Sequence, residues 1–139
     1  MFVDSVKNGM VIDHITNGKA MQIYNMLSLS KLDCPVAILE NVPSKKMGKK
    51  DIIKIHADIN INLDVLGFVS PSITVDIIRD GEIIEKKHIE LPEKLTDILT
   101  CKNPRCITST EQGIKQIFKL TDKEKGVYRC LYCETKAEI

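Results

Sequence analysis

The strongest constraint on this chain is a pair of cysteine pairs. Cys101-Lys102-Asn103-Pro104-Arg105-Cys106 is answered near the C-terminus by Cys130-Leu131-Tyr132-Cys133. Each short loop points two sulfurs at one centre, and the insert between them folds back to bring the loops together, which is what a tetrahedral metal site needs. Four thiolates without a histidine suit one structural zinc and leave no position open for a reacting water. The four residues inside the first pair fit zinc at least as well as iron. Such a centre carries a net charge of about −2, and Lys102, Arg105 and Arg129 are placed to offset it. Only Cys34 falls outside the pattern, just before an apolar run, and reads as a packing residue.

Zinc explains how residues 93–139 can fold at all. So short a region buries little core, whereas a structural zinc contributes about 10–16 kcal/mol in small peptides. The segment Leu91-Pro92-Glu93 interrupts the preceding pattern and marks the boundary between a first domain at 1–92 and this second one at 93–139. Inside the second, Asp97–Thr100, Gly113–Leu120 and Val127–Arg129 read as short strands. The expectation is a small β-rich, zinc-ribbon-like domain.

The first domain has apolar residues enough for a core of its own, at 43% of the 139-residue chain, with no Trp and few other aromatics. Ile, Leu and Val therefore do the packing. Met10–Ile15 reads as a strand and Asn17-Gly18 ends it. Ala20, Ile23, Tyr24 and Leu27 recur at helical spacing and predict a helix over 18–29. Val36–Leu39 and Asp51–His56 read as strands, joined by a lysine-rich loop over 43–50. In the second of these, Ile53 and Ile55 share one face, and Ile52, Lys54 and His56 the other. A short helix follows near 61–69. Asp80-Gly81 between β-branched runs predicts a hairpin of 73–78 with 83–89. The order β-α-β-β-α-β-β implies an α+β fold: a ferredoxin-like antiparallel or mixed sheet with two helices on one face.

Other features exclude more than they establish. No apolar run approaches a membrane span, and Met1–Ser5 does not resemble a secretory signal; with reduced cysteines, a cytoplasmic setting is expected. A net charge of +1 argues against non-specific coating of nucleic acid. The run Lys45-Lys46…Lys49-Lys50 lacks the interleaved aromatics of single-strand binders, although a zinc-ribbon nucleic-acid-binding protein is the alternative to weigh. Asp13-His14 looks like half a catalytic dyad, but no nucleophile is placed with it. Lys50 and Lys54 share a strand face and suit phosphate as point charges. Binding is better supported than catalysis.

Several segments together resemble the regulatory chain of aspartate carbamoyltransferase: Gly9–Ile15, Met47–Ile55, Leu91-Pro92-Glu93, Cys101–Ile107 and Cys130–Glu134. They occur in order and span nearly the whole chain. The resemblance implies a non-catalytic subunit of pyrimidine biosynthesis. Its first domain binds nucleotide effectors of the CTP, UTP and ATP class and pairs with a second regulatory chain. Its zinc domain docks on catalytic trimers. Carried over position by position, Asp13 and Lys54 hold the ribose and base region, Lys86 meets phosphates, and Lys50 and His14 flank the pocket. Val3, Asp4, Ser5 and Val6 match the segment that reads the base edge, and Val11, Ile52, Ile78 and Ile83 form the apolar lining. Asn103, Arg105 and Glu134 fall at the contact with the catalytic chain. Asp76 falls in the effector site in place of the usual asparagine; it, Gly81 and Arg105 depart from the family pattern, and the choice of effector stays open.

Overall fold

The computed structural model describes residues 6–137, and the chain divides into two compact units, Met1–Glu90 and Leu91–Ile139. In the first unit the alternation of β-branched residues gives strands β1 (Gly9–Thr16), β2 (Val36–Ser44), β3 (Gly48–Ile55), β4 (Thr74–Arg79) and β5 (Glu82–His88). Helices α1 (Ala20–Met26) and α2 (Leu63–Val69) fill the two crossovers. The sheet order is β2-β3-β1-β4-β5, and every neighbouring pair is antiparallel. The first four strands have the ferredoxin-like order, and the Asp80-Gly81 hairpin adds the fifth as an edge.

One sheet face is apolar and carries the helices. Met10, Ile12 and Ile15 of β1, Ile53 and Ile55 of β3 and Val75 of β4 pack with Ala20 and Ile23 of α1 and Leu66 of α2. Cys34 packs against this cluster, in the role expected of it. Position 9, the first of β1, requires glycine: a Cβ there would run into the Ile55 carbonyl, and its φ is +152°.

The core positions of β1 are spaced by two and then by three, because the strand carries a bulge. Ile12 lies opposite Ile53, but Ile15 lies opposite Asp51, so three steps on β1 match two on β3. β2 does the same between Leu39 and Val42. Each bulge contains a left-handed residue, His14 (φ 57°) and Asn41 (φ 61°). Between them sits Asp51, fully buried. Its Oδ1 accepts from the Asn41 N–H (3.2 Å) and the Asn17 amide (2.9 Å), and its Oδ2 from the N–H groups of Gly18 (2.9 Å) and Ala20 (3.3 Å). Asp51 thus does for α1 what an N-cap side chain does, and Lys19 at the cap makes no such bond. At α2 the cap is local: Asn62 Oδ1 accepts from the Asp64 N–H at 3.0 Å.

Several boundaries differ from the sequence reading. The helix expected over 18–29 stops at Met26, because Ser28 turns left-handed (φ 53°) and a single 3-10 turn, Leu29–Lys31, follows. The expected loop at 43–50 is mostly strand, and only the turn at 45–47 remains between β2 and β3.

In the second unit, β6 (Lys94–Thr96), β7 (Ile117–Asp122) and β8 (Val127–Cys130) form an antiparallel sheet in the order β6-β7-β8. The strand expected at 97–100 is displaced to 94–96. Asp97 ends it in a left-handed conformation (φ 56°), its Oδ1 accepting from the Gln116 N–H at 3.0 Å. The strand expected over 113–120 begins only at Ile117, and a one-turn helix, α3 (Ile107–Thr110), starts at Cys106. Leu95, Leu99, Phe118 and Tyr128 make a small core, and the Tyr128 hydroxyl donates to the Pro92 carbonyl at 2.6 Å.

Replacing Asp51 with alanine strands several buried donors at once. The expected cost is about 3 kcal/mol or more, measured by hydrogen exchange of the β1 and β3 amides. A loss within about 1 kcal/mol would show that the carboxylate is not the organising group.

Candidate metal centre and the polar face of the sheet

The four cysteines converge. The Sγ atoms of Cys101, Cys106, Cys130 and Cys133 all lie within 4.8 Å of one another. Cys101 and Cys133 stand 3.5 Å apart, and Cys106 and Cys130 3.7 Å. A tetrahedron of zinc–sulfur bonds of about 2.3 Å has edges of about 3.8 Å, so the donor set fits zinc. Backbone bonds shape both loops. The Cys106 N–H donates to the Asn103 carbonyl (3.1 Å), and the Cys106 carbonyl accepts from Ser109 (2.9 Å) as α3 begins. In the second loop the Glu134 N–H donates to the Cys130 carbonyl (2.9 Å), with Glu134 itself left-handed (φ 65°).

The thiols are not equivalent. Burial pushes Cys101 up to about 12 and raises Cys130 as well. Cys133 is held down at about 6, chiefly by the Thr135 hydroxyl 3.2 Å from its sulfur and by the Thr135 backbone. A divalent ion held by the four sulfurs would supply the charge that favours thiolates there, and its uptake would release protons. With four protein ligands the centre is closed and structural. Of the cations expected to offset its charge, Arg129 is the one seen bonded beside it, donating to the Glu134 carbonyl at 3.1 Å.

The second constellation lies on the sheet face opposite the helices. Directly paired residues point to the same side, and register places Lys54 (β3), Val11 (β1), Asp76 (β4) and Lys86 (β5) in one row across four strands. The β1 bulge adds Asp13 and His14 beside that row. Lys50 Nζ donates to Asp13 Oδ1 at 2.9 Å, and the His14 N–H donates to the same oxygen at 2.6 Å. The His14 ring nitrogen Nδ1 sits 2.9 Å from the Thr74 hydroxyl. Burial alone would raise the Asp13 carboxyl, but the bonds and charges of Lys50 and His14 outweigh it and hold the group below its ordinary value.

The structure therefore brings Asp13, His14, Lys50, Lys54, Lys86, Val11 and Asp76 to one face. Ile52 lies on the same side, half-buried opposite Leu39, and Ile78 sits beside Gly9. Ile83 pairs with Ile78 but is 58% exposed, so that end of the apolar lining is open. Val3, Asp4 and Ser5 lie outside the described residues, and Val6 is buried. In the second unit Asn103 orders its loop. Its Oδ1 accepts from the Arg105 N–H (3.0 Å), and its amide donates to the Thr135 hydroxyl (3.3 Å), while Arg105 and Glu134 are exposed.

Sequence reasoning missed the residues that hold the bulge. Ser72 Oγ donates to the His14 carbonyl at 2.8 Å, and Ser70 Oγ lies within 2.9 Å of the hydroxyls of both Thr16 and Ser72. Nothing local in Ser70–Thr74 announces this role, since the partners are more than 50 residues away. The spacing of Ile12 and Ile15 was the available signal.

The lowered Asp13 value has a sign. A depressed carboxyl contributes stability that is complete above its unfolded value, near 3.8, and is lost as pH falls through the lower folded value. Lys50→Met should therefore reduce the urea midpoint of the first unit near neutrality, with the deficit shrinking below about pH 4. A deficit independent of pH would contradict the pairing.

Among the described residues no helix is long and apolar enough to cross a membrane. Comparison with known proteins places both units in one family. The family profile described as aspartate carbamoyltransferase regulatory chain, allosteric domain, matches residues 1–90, and that of the metal binding domain of the same chain matches 93–139. Relatives bearing the name aspartate carbamoyltransferase regulatory chain include one from Clostridium tetani, 50% identical over 133 residues, covering 95% of this chain and 92% of the relative. One from Bifidobacterium longum is 45% identical over the full length of both. Another, from Clostridium botulinum, is 48% identical over 132 residues, covering 95% and 90%. Nothing in these matches favours a nucleic-acid-binding ribbon. With both of its units matched and these relatives aligned over 90% or more of their length, the chain belongs to the family of aspartate carbamoyltransferase regulatory chains.

Proposed function

We propose that the polar sheet face binds a nucleotide effector, and that the zinc domain carries the consequence to aspartate carbamoyltransferase catalytic trimers. Family membership makes the chain a regulatory, non-catalytic subunit. The observation that carries the nucleotide reading is the row of Lys54, Val11, Asp76 and Lys86 with the Asp13–Lys50 pair beside it. It combines ammonium groups for phosphate, a carboxylate for ribose hydroxyls or base amines, and an apolar floor from Val11, Ile52 and Ile78. Effectors of the CTP, UTP and ATP class fit this chemistry. By resemblance Val3 and Asp4, which lie outside the described residues, belong to the same proposed pocket.

The zinc loops support the docking role. Ile107, Leu131 and Tyr132 are each more than 40% exposed next to Asn103, Arg105 and Glu134, a mixture of apolar anchors and polar rim typical of protein interfaces. Pairing into a regulatory homodimer is supported by β2 and β5, which are edge strands of the sheet among the described residues. Free thiols fit a reducing compartment, and we place the subunit in the cytoplasm.

Calorimetry of the purified chain with CTP, UTP and ATP tests the pocket. Lys54→Ala and Lys86→Ala should each weaken binding about tenfold or more, equivalent to about 1.4 kcal/mol; unchanged affinity would remove these lysines from the site. Cys101→Ser, or chelation of the zinc, should abolish assembly with catalytic trimers in size-exclusion chromatography while nucleotide binding persists. A metal-free chain that still assembles would contradict the docking role.

A further inference from the structure

Among the described residues, one buried polar atom on the sheet face has no partner. Asp76 is only 8% exposed, and its Oδ1 makes no hydrogen bond. Buried carboxylate oxygens are ordinarily satisfied, and the side chain has lysines on both sides of it in the row. Lys86 stands directly opposite on β5, and Lys54 lies two strands away, beyond Val11. Neither forms an ion pair with Asp76; Lys50, the other cation of the face, is committed to Asp13, and His14 faces Thr74. That oxygen is buried as well as unpaired, and a ligand donor that reached it would satisfy it.

The strand order makes this acceptor selective. Neighbouring strands lie about 4.8 Å apart, so the row from Lys54 to Lys86 spans about three such steps, and Asp76 stands between its ends. A polyphosphate tail that touched both lysines would pass over a carboxylate oxygen that no donor among the described residues shields. A ligand avoids that repulsion by giving its phosphate to one lysine and laying a hydroxyl or amino group over Asp76.

We propose that Asp76 is a specificity-determining residue that accepts a sugar or base donor and withholds the usual affinity gain from added phosphates. The inference rests on the nucleotide reading above and deepens it. Charge count, which ordinarily dominates phosphate binding, is thereby made secondary to the nucleoside. Without Asp76 the same lysines would favour the most highly charged nucleotide available.

The test is calorimetry of the zinc-loaded full chain with the mono-, di- and triphosphate of one nucleoside. It is run without added divalent cations, since bound magnesium would cancel the repulsion being measured. Wild type should gain less than about tenfold from monophosphate to triphosphate. The isosteric Asp76→Asn should bind triphosphate at least about tenfold more tightly than wild type, and monophosphate no more tightly, with an unchanged urea midpoint confirming the fold. A wild-type gain of about tenfold or more from monophosphate to triphosphate would overturn the proposal. So would an Asp76→Asn effect equal across the series. Absence of binding by every nucleotide to both proteins would overturn the nucleotide reading itself, a result distinguishable from either.

Discussion

The first unit depends on one buried carboxylate. Asp51 accepts four hydrogen bonds from three segments: the turn before α1, the first residue of that helix, and the bulge of β2. Charge-assisted bonds of this kind are stronger than neutral ones, and each donor would be costly to leave unpaired inside the fold. The two bulges lie on either side of Asp51 because β3 runs between β1 and β2. The consequence for function is indirect but specific. The β1 bulge turns two consecutive polar residues, Asp13 and His14, to the face away from the helices, where regular alternation would send one of them into the core. Lys50, next to Asp51, reaches Asp13 from the neighbouring strand. A core requirement and a surface arrangement are thus met by the same few residues.

The second unit solves the opposite problem. It has too little apolar material for a core of its own, and its buried residues are largely Leu95, Leu99, Phe118 and Tyr128 with three of the cysteines. A tetrathiolate centre replaces the missing packing with a few strong bonds, and it fixes the two loops whose outer surfaces carry Ile107, Leu131 and Tyr132. Surface geometry there is therefore a property of the metal centre. That is the physical reason to expect attachment to a partner to depend on zinc while ligand binding on the first unit does not.

How far the sequence alone revealed this differed between sites. The cysteine centre was fully legible, because ligand chemistry and spacing are local. The element order of the first unit was legible too, through the Asp80-Gly81 turn and the alternation in β3 and β4. Asp51 was not: a charged residue at the start of an apolar run looks like a strand end, and its donors are 10 to 34 residues away. Residues 97–100 misled for a related reason, since Asp97-Ile98-Leu99-Thr100 has strand composition but Asp97 takes up a left-handed turn. The proposed effector face was suggested by resemblance, and only the strand register shows why residues as distant as Val11, Lys54, Asp76 and Lys86 lie in one row.

The central claim is that nucleotide on the first unit and ligand on the catalytic chains are coupled through one assembly. Coupling between two sites is reciprocal, and typical values of about 1–3 kcal/mol correspond to about 5- to 150-fold in affinity. The direct measurement is the nucleotide dissociation constant of the reconstituted complex, with and without a saturating active-site ligand on the catalytic trimers. Coupling through the assembly makes the two values differ by about fivefold or more. Equal values, in a complex shown to be intact, would contradict it.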